Sequence, residues 1–283
     1  METRREPTQP TRVTAGVRGH AAGQWLVMAT KQERERAFHD AAYSESTREH
    51  VWGFYKTARA SRQAFRDALV AEGLNGKRVL EYGSGASAQA FFLASHGARV
   101  TGIDISPVAV GRGRRHAADA SLVDRVSFEV MDAESLGFDD KSFDLVCGAG
   151  ILHHLDLDRA YGEIARVLAP GGAATFVEPL GHNPLINAYR QRTPELRTAD
   201  EHPLLLGDLE AARRYFGEAQ FEFFHLASLA AIPFRGRAAF GKLLSGLEAV
   251  DRLLFRLLPP IRRHAWMVVL RLRRPSKSTP STP

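Results

Sequence analysis

The sequence predicts an α/β fold built around a doubly wound, mostly parallel β-sheet. Short β-rich runs alternate with helical segments between residues 77 and 178, and that alternation requires crossover connections between parallel strands. Most residues in these runs are apolar without strict alternation, as expected of strands covered on both faces. A composition of 44% hydrophobic and 25% charged residues excludes a disordered or collagen-like chain.

The β-rich runs and helical patterns follow one another in chain order. Strands are predicted at 77–82, 98–104, 126–130, 143–147, 173–178, 221–226 and 265–272. Helices are predicted at 88–95, 107–120, 157–168, 208–215 and 243–258. Ser106 followed by Pro107 is a typical helix start, and Pro170-Gly171-Gly172 is expected to stop the helix before it.

The same patterns divide the chain into regions. Two helical stretches between Lys31 and Glu72 predict an N-terminal helical cap over residues 25–75, and a main domain follows over 76–274. Within that domain, residues 181–207 are expected to form a lid and 228–264 a helical insertion. Residues 1–24 and 275–283 lack periodicity and are expected to be flexible tails.

Positive charge is concentrated near the C-terminus. The last 32 residues hold eight cations and no acidic residue, so the other 251 carry −2 of the +6 total. This distribution does not favour nucleic-acid binding. The amphipathic helix 243–258 leaves three interpretations open: packing on its own domain, a homodimer contact, or peripheral contact with an anionic membrane.

The sequence gives little indication of disulfide bonds, metal binding or targeting signals. A single cysteine, Cys147, excludes an internal disulfide and a cysteine-based zinc cluster, and no metal site is predicted. The sequence has no signal peptide pattern and no apolar run of ~18 residues. We therefore expect a cytoplasmic protein.

A glycine-rich turn after the first strand predicts a nucleoside site. Segment 81–87 (EYGSGAS) leads from strand to helix through Gly83 and Gly85, which let the backbone approach a ligand closely. Asp104 ends the next strand, where a carboxylate can accept hydrogen bonds from ribose hydroxyls. The spacing also fits the dinucleotide pattern, so an NAD(P)-dependent oxidoreductase remains an alternative.

Two further features favour S-adenosylmethionine over a dinucleotide. Glu81 precedes the glycine turn, where a carboxylate attracts the ammonium group of a methionine moiety and repels a pyrophosphate. Met131-Asp132-Ala133 ends the third strand and offers an apolar surface for adenine together with an acceptor for its amine.

These segments resemble, in order, the motifs of class I S-adenosylmethionine-dependent methyltransferases of the small-molecule type. VLEYGSGAS resembles the glycine-rich motif, VTGIDIS the ribose motif and VMDAESL the adenine motif, while SFDLVCGAGILHHL and RVLAPGG resemble later signatures. The resemblance covers residues 76–179 and implies a Rossmann-like seven-stranded sheet with an antiparallel last strand. Ser84 and Ser87 stand where cysteine and a third glycine are usual.

The resemblance implies S-adenosyl-L-methionine as the cofactor. Its binding residues are expected in the motifs and, through Tyr43, in the helical cap. The full set is Glu81, Gly83, Ser84, Gly85, Asp104, Ile105, Asp132, Ala133, Ala149 and Tyr43.

Catalysis requires placement of the acceptor in line with the methyl group, and a base where the acceptor is a hydroxyl or an ammonium. The candidates are His154 after the fourth strand, and Glu178 and His182 after the fifth. Glu178 is expected to face the crevice with His182 as the base. Arg190 and Arg197 either bind a substrate anion or belong to an ion-paired lid.

The expected function is methyl transfer to an oxygen or nitrogen of a small molecule, such as a specialised metabolite or modified peptide. The main alternative is a lipid or quinone methyltransferase at a membrane surface. A binding scaffold without catalysis is the non-enzymatic alternative.

Overall fold

The computed structural model describes residues 30–44, 56–85, 88–198 and 200–276. Both predicted tails, apart from residues 275 and 276, lie outside the described residues. So do residues 25–29 and 45–55 of the predicted cap, and Ser87.

A seven-stranded sheet lies at the centre of the described part of the chain. Its spatial order is β3-β2-β1-β4-β5-β7-β6. Strands β1 to β5 are parallel, and β7 is antiparallel to both β5 and β6. This confirms the predicted fold class. The strands are β1 Arg78–Tyr82, β2 Arg99–Asp104, β3 Val126–Val130, β4 Phe143–Ala149, β5 Leu168–Pro179, β6 Phe216–Phe224 and β7 Met267–Pro275.

Helices cover both faces of the sheet, which gives two hydrophobic cores. Along β1, Leu80 packs in the core that contains Tyr161, whereas its neighbour Val79 packs in the core that contains Phe65 and Leu69. The α-helices are α1 Lys31–Ser44, α2 Arg59–Ala71, α3 Ala88–Ser95, α4 Pro107–Asp119, α5 Leu157–Val167, α6 Pro184–Arg192, α7 Leu206–Ala211 and α8 Phe240–Leu257.

Several helices begin at side-chain caps. The Ser106 hydroxyl accepts a hydrogen bond from the Ala109 amide at 3.1 Å and opens α4, with Pro107 at its first position as predicted. Asp156 caps α5 in the same way, and Asn183 caps α6. Each cap satisfies amide groups that the first turn of a helix leaves unpaired.

Two strands begin five residues earlier than predicted. β5 begins at Leu168 instead of residue 173, because pairing with β4 resumes after a register shift between Phe143 and Leu145. β6 begins at Phe216 instead of residue 221, because the long β7 pairs with it as far as Pro275. The helix predicted over 208–215 is correspondingly shorter and continues as a 3₁₀ turn over Ala212–Arg214.

The predicted lid and insertion lie beside the carboxyl ends of the strands. Residues 181–207 contain α6, and an isolated bridge joins Leu204 to Leu180. The insertion contains α8 between 3₁₀ segments over Ala227–Phe234 and Pro259–His264. The buried Asp251 of α8 accepts hydrogen bonds from the amides of Leu226, Ala227 and Ser228. That carboxylate fixes the start of the insertion against α8.

His225 connects the end of β6 to α2. Its Nε2 lies 3.0 Å from the hydroxyl of Ser61, and its Nδ1 lies 3.2 Å from the hydroxyl of Ser228. Burial, with a smaller contribution from the positive charge of Arg62, lowers the pKa of His225 to about 3. The imidazole is therefore neutral in the folded protein.

We expect the replacement His225→Asn to make the free energy of unfolding less dependent on pH below 6.5. A histidine in the unfolded chain takes up a proton near pH 6.5, whereas His225 in the folded protein does so only near pH 3. Its stabilising contribution is complete above pH 6.5 and falls as the pH drops towards 3, by at most ~1.4 kcal/mol per pH unit. Asparagine tolerates the positive φ at this position.

Urea denaturation of both proteins between pH 7.5 and 4.5 measures this effect. The difference in unfolding free energy between wild type and variant should narrow by about 2 kcal/mol from pH 6.5 to pH 5. A difference that stays constant over this range would show that His225 is not neutral in the fold.

Candidate active site

A cavity of about 750 Å³ opens at the carboxyl ends of the central strands, where the strand order reverses between β1 and β4. Ligands bind at this position in open α/β sheets. One end is lined by predicted nucleoside-binding residues, including Gly83, Asp104 and Asp132. The other end is lined mainly by apolar and aromatic side chains, which are Val177, Pro179, Ile186, Tyr189, Leu196, Trp266 and Met267.

The glycine turn requires glycine at two positions. Gly83 and Gly85 have φ angles of +59° and +54°, which other residues rarely adopt. A Cβ atom on Gly83 would lie 2.9 Å from Cδ1 of Ile151, and one on Gly85 would collide with the hydroxyl of Tyr43. The turn is thus packed between the segment after β4 and helix α1.

Asp104 holds the turn from the end of β2. Its Oδ2 accepts a hydrogen bond from the Gly85 amide at 2.9 Å, and its Oδ1 accepts one from the Ser106 amide at 2.9 Å. The side chain also lines the cavity. Since each carboxylate oxygen has a second lone pair, Asp104 can organise the turn and still accept hydrogen bonds from a ribose.

Seven of the ten predicted cofactor-binding residues line the same cavity. They are Tyr43, Gly83, Asp104, Ile105, Asp132, Ala133 and Ala149. Glu81, Ser84 and Gly85 are buried and do not line it; Ser84 instead donates its amide to the Ile103 carbonyl at 2.9 Å. Contact of these residues with a cofactor stays a prediction.

Glu178 does not face the cavity, which corrects the prediction. Its side chain is fully buried. One carboxylate oxygen accepts hydrogen bonds from the amides of Ile151 and Leu152 at 2.9 and 3.0 Å, and the other lies 2.8 Å from Nδ1 of His153. Glu178 is therefore committed to holding the segment after β4, where a buried carboxylate is stabilised by several donors.

His182 also departs from the prediction, because the structure does not bring it into the cavity wall. It lies just before the cap of α6, and its carbonyl accepts a hydrogen bond from His264 at 3.2 Å. A general base must come within hydrogen-bond reach of the proton that it removes. The predicted pairing of Glu178 and His182 thus has no geometric support.

His154, the third predicted catalytic residue, does line the cavity and meets two residues of α1. Its Nδ1 lies 3.2 Å from Oε2 of Glu35, and Nε2 of His39 lies 3.4 Å from the same oxygen. We call Glu35, His39 and His154 the cavity cluster. All three residues line the cavity.

Glu35 is an anion in this cluster. Its side chain is only 7% exposed, and burial by itself would raise its pKa. The polar contacts with His154, His39 and Thr198 outweigh burial and hold the pKa of the Glu35 carboxyl well below its ordinary value. Glu35 was not among the predicted site residues, although the i, i+4 spacing of Glu35 and His39 places both on one face of a helix.

Helix α1 is fastened over the cavity by polar contacts to separate parts of the chain. Lys31 lies 3.0 Å from Glu134 after β3, and Arg34 makes two contacts of 2.8 Å with Asp200 in the lid. The hydroxyl of Ser106 donates to Asp40 at 2.5 Å. These contacts hold Glu35, His39 and Tyr43 against the site.

The charged lid is ion-paired internally. Glu201 lies 2.6 Å from Arg190 and 3.5 Å from Arg197, and Arg197 also donates to the carbonyl of Thr193 at 2.6 Å. Of the two interpretations of this segment, the structure favours the ion-paired lid over a site for a substrate anion.

A family model described as a methyltransferase domain matches residues 80–176, the segment that supplies the glycine turn, Asp104 and Asp132. This segment is similar to a methyltransferase domain. Since the methyltransferase family uses S-adenosylmethionine, the match favours S-adenosylmethionine over a dinucleotide at this site.

Curated relatives carry methyltransferase names. A probable chloroplastic tocopherol O-methyltransferase of Oryza sativa subsp. japonica is 31% identical over 171 residues, which are 58% of this chain and 45% of that protein. The 27-O-demethylrifamycin SV methyltransferase of Amycolatopsis mediterranei is 41% identical over 99 residues, 34% of this chain and 36% of that protein. The chain thus matches less than half of the length of these relatives.

A solved structure has a similar overall fold. The geranyl diphosphate C-methyltransferase of Streptomyces coelicolor A3(2) superposes with a TM-score of 0.61 at 12% identity. The superposition covers 87% of this chain and 99% of that one. At this identity the likeness concerns the fold alone.

We expect Asp104→Ala to weaken binding of the cofactor by roughly 10- to 100-fold, the range for loss of a hydrogen bond to a charged group. The variant loses the ribose acceptor and also the ties to the amides of Gly85 and Ser106. Calorimetry with S-adenosylhomocysteine measures the effect. His182→Ala is the control and should leave the affinity unchanged, and equal losses in both variants would contradict this assignment.

Proposed function

We propose that the chain transfers the methyl group of S-adenosylmethionine to a hydroxyl oxygen of a small, largely apolar acceptor. The observation that carries this proposal is the shared cavity, in which predicted cofactor-binding residues and the cavity cluster line one space. The relatives named as a probable tocopherol O-methyltransferase and as a 27-O-demethylrifamycin SV methyltransferase support it.

The acceptor end of the cavity favours an apolar or aromatic molecule. Met267 begins β7 and Trp266 precedes it, while Ile186 and Leu196 come from the lid. Pockets of this composition bind through apolar contact and use a few polar groups for orientation. The polar groups include the cavity cluster and three residues of the lid, Arg190, Arg197 and Glu201. Because Glu201 is ion-paired with both arginines, we expect the reactive hydroxyl to point towards His154 in the cavity cluster.

The transfer itself is a nucleophilic displacement on carbon. The oxygen of the acceptor forms a bond to the methyl carbon while the carbon–sulfur bond breaks, and its electron pair returns to sulfur to give neutral S-adenosylhomocysteine. Holding the oxygen in line with that bond supplies much of the rate enhancement. The buried cavity also excludes water from a reaction that disperses charge.

The hydroxyl proton must leave for this reaction to proceed. His154 is the predicted catalytic residue that lines the cavity, and the anionic Glu35 at 3.2 Å stabilises positive charge on it. We therefore assign removal of the acceptor proton to the cavity cluster. This assignment replaces the earlier expectation for His182.

We expect His154→Ala to lower kcat by about 10²- to 10⁴-fold, the usual contribution of a positioned base, with little change in affinity for S-adenosylhomocysteine. Formation of S-adenosylhomocysteine with a panel of phenols, catechols and aliphatic alcohols, followed by mass spectrometry, measures turnover. His116→Ala, on the exposed face of α4, is the matched control. Methylation of amines but not of hydroxyls would contradict the proposed acceptor class.

A second candidate is the membrane-surface methyltransferase. No helix among the described residues is long and apolar enough to cross a bilayer, so this candidate requires contact at the surface. Exposed apolar residues along α8 and after its end favour it; they are Leu243, Val250, Leu253, Leu257 and Leu258. Arg252 and Arg256 on the same helix can attract anionic lipid.

We expect the double change Leu253→Glu and Leu257→Glu to abolish co-sedimentation with vesicles that contain phosphatidylglycerol, because it removes apolar contact and adds repulsion. Val123→Glu, at a position that is 60% exposed outside α8, is the control and should still bind. Binding that does not depend on anionic lipid, or that survives the double change, would dismiss this candidate.

A further inference from the structure

We propose that the cavity cluster of Glu35, His39 and His154 binds a divalent first-row transition-metal ion. The three residues come from two separate elements, α1 and the 3₁₀ turn Leu152–His154. Their ligand atoms all lie within 4.8 Å of one another. No metal site was expected from the sequence, whose single cysteine excludes a cysteine-based zinc cluster.

The spacing of the ligand atoms suits a single ion. Oε2 of Glu35 lies 3.4 Å from Nε2 of His39 and 3.2 Å from Nδ1 of His154. Tetrahedral coordination with bonds of 2.0–2.1 Å separates neighbouring ligand atoms by about 3.3–3.4 Å. Two of the three separations therefore match with no movement of the backbone.

Four of the eight buried side-chain polar atoms that have no hydrogen bond among the described residues lie here. They are both carboxylate oxygens of Glu35, Nδ1 of His154 and the hydroxyl of Thr198, although Oε2 of Glu35 is within ion-pair distance of both imidazoles. The Glu35 side chain is 93% buried and lines the cavity. Native proteins rarely leave such atoms unsatisfied, and coordination of an ion satisfies carboxylate and imidazole together.

The donor set determines the kind of ion. Two imidazoles and a carboxylate suit Zn²⁺, Fe²⁺, Co²⁺ or Mn²⁺, whereas Mg²⁺ and Ca²⁺ prefer sites built from oxygen alone. With three protein ligands, the ion keeps an open position. Because all three residues line the cavity, that position is available to an acceptor.

Glu201 is placed outside the ligand set. Its carboxylate is paired with Arg190 at 2.6 Å and with Arg197 at 3.5 Å, and it lies 4.0 Å from Nε2 of His154. A carboxylate beyond a coordinating histidine commonly orients the ring. We assign Glu201 this positioning role and Nδ1 of His154 the role of ligand.

The role of the ion rests on the proposed function. A hydroxyl at the open position binds through oxygen and loses its proton to solvent at neutral pH, because the ion lowers its pKa. The resulting oxyanion forms the bond to the methyl carbon, and the electron pair of the broken carbon–sulfur bond returns to sulfur. The cavity cluster, with His154 as one of the ligands, then promotes loss of the acceptor proton through the ion that it holds.

Cobalt provides a readout that does not depend on turnover. The full-length chain, freed of metal by dialysis against a chelator, is titrated with Co²⁺ while its visible absorption is followed. We expect one Co²⁺ per chain with the intense bands of a four- or five-coordinate site, and displacement of Co²⁺ by added Zn²⁺. Glu35→Gln and His154→Ala should each weaken binding at least tenfold, while His116→Ala should not.

Folding of the variants is checked by their affinity for S-adenosylhomocysteine, which Glu35→Gln should retain. Absence of the Co²⁺ bands from wild type, or equal bands in wild type and Glu35→Gln, would overturn the metal site. Full turnover by the metal-free protein would also overturn the role of the ion while leaving the proposed methyl transfer intact. Bound Co²⁺ in a protein that methylates no hydroxyl would support the site and refute the proposed function.

Discussion

The buried carboxylate of Glu178 is the contact on which the geometry of the site depends. It binds the amides of Ile151 and Leu152 and the ring of His153. Ile151 in turn packs on Gly83, and the adjacent His154 belongs to the cavity cluster. The segment after β4 therefore reaches both the end of the cavity where we expect the cofactor and the end where we expect the acceptor. Because Glu178 holds this segment from the end of β5, it fixes Ile151 beneath the first end and His154 at the second.

Helix α1 completes the site from the opposite side with weaker contacts. Its ion pairs with Glu134 and Asp200 are partly exposed, and such pairs stabilise a structure by about 1 kcal/mol or less each. The helix nevertheless supplies Glu35, His39 and Tyr43. The cavity cluster is complete only while α1 is docked on the rest of the site. Because the same helix covers the cavity, a movement of α1 that admits a ligand would also separate Glu35 and His39 from His154.

The sequence was sufficient for the fold but only partly for the site. Alternating strands and helices, the glycine turn and Asp104 depend on local patterns, and the structure places them as expected. Glu178 was assigned to the wrong face because the side chains of a strand alternate: its neighbour Val177 lines the cavity. Glu35 was missed because α1 is rich in charged residues and resembles a solvated helix until its partner His154 is placed beside it.

The distribution of charge in the cavity is consistent with its chemistry. The reaction converts a sulfonium cation and an oxyanion into two neutral products. A poorly solvated site stabilises the two separate charges only weakly, and it therefore favours the transition state, in which they are partly neutralised. Two acidic side chains, Asp104 and Asp132, line the end of the cavity where we expect the cationic cofactor. Glu35 adds a negative charge to the cavity cluster, which limits how tightly the cluster holds the oxyanion. An oxyanion that is not held too firmly keeps the nucleophilicity that attack on the methyl group requires.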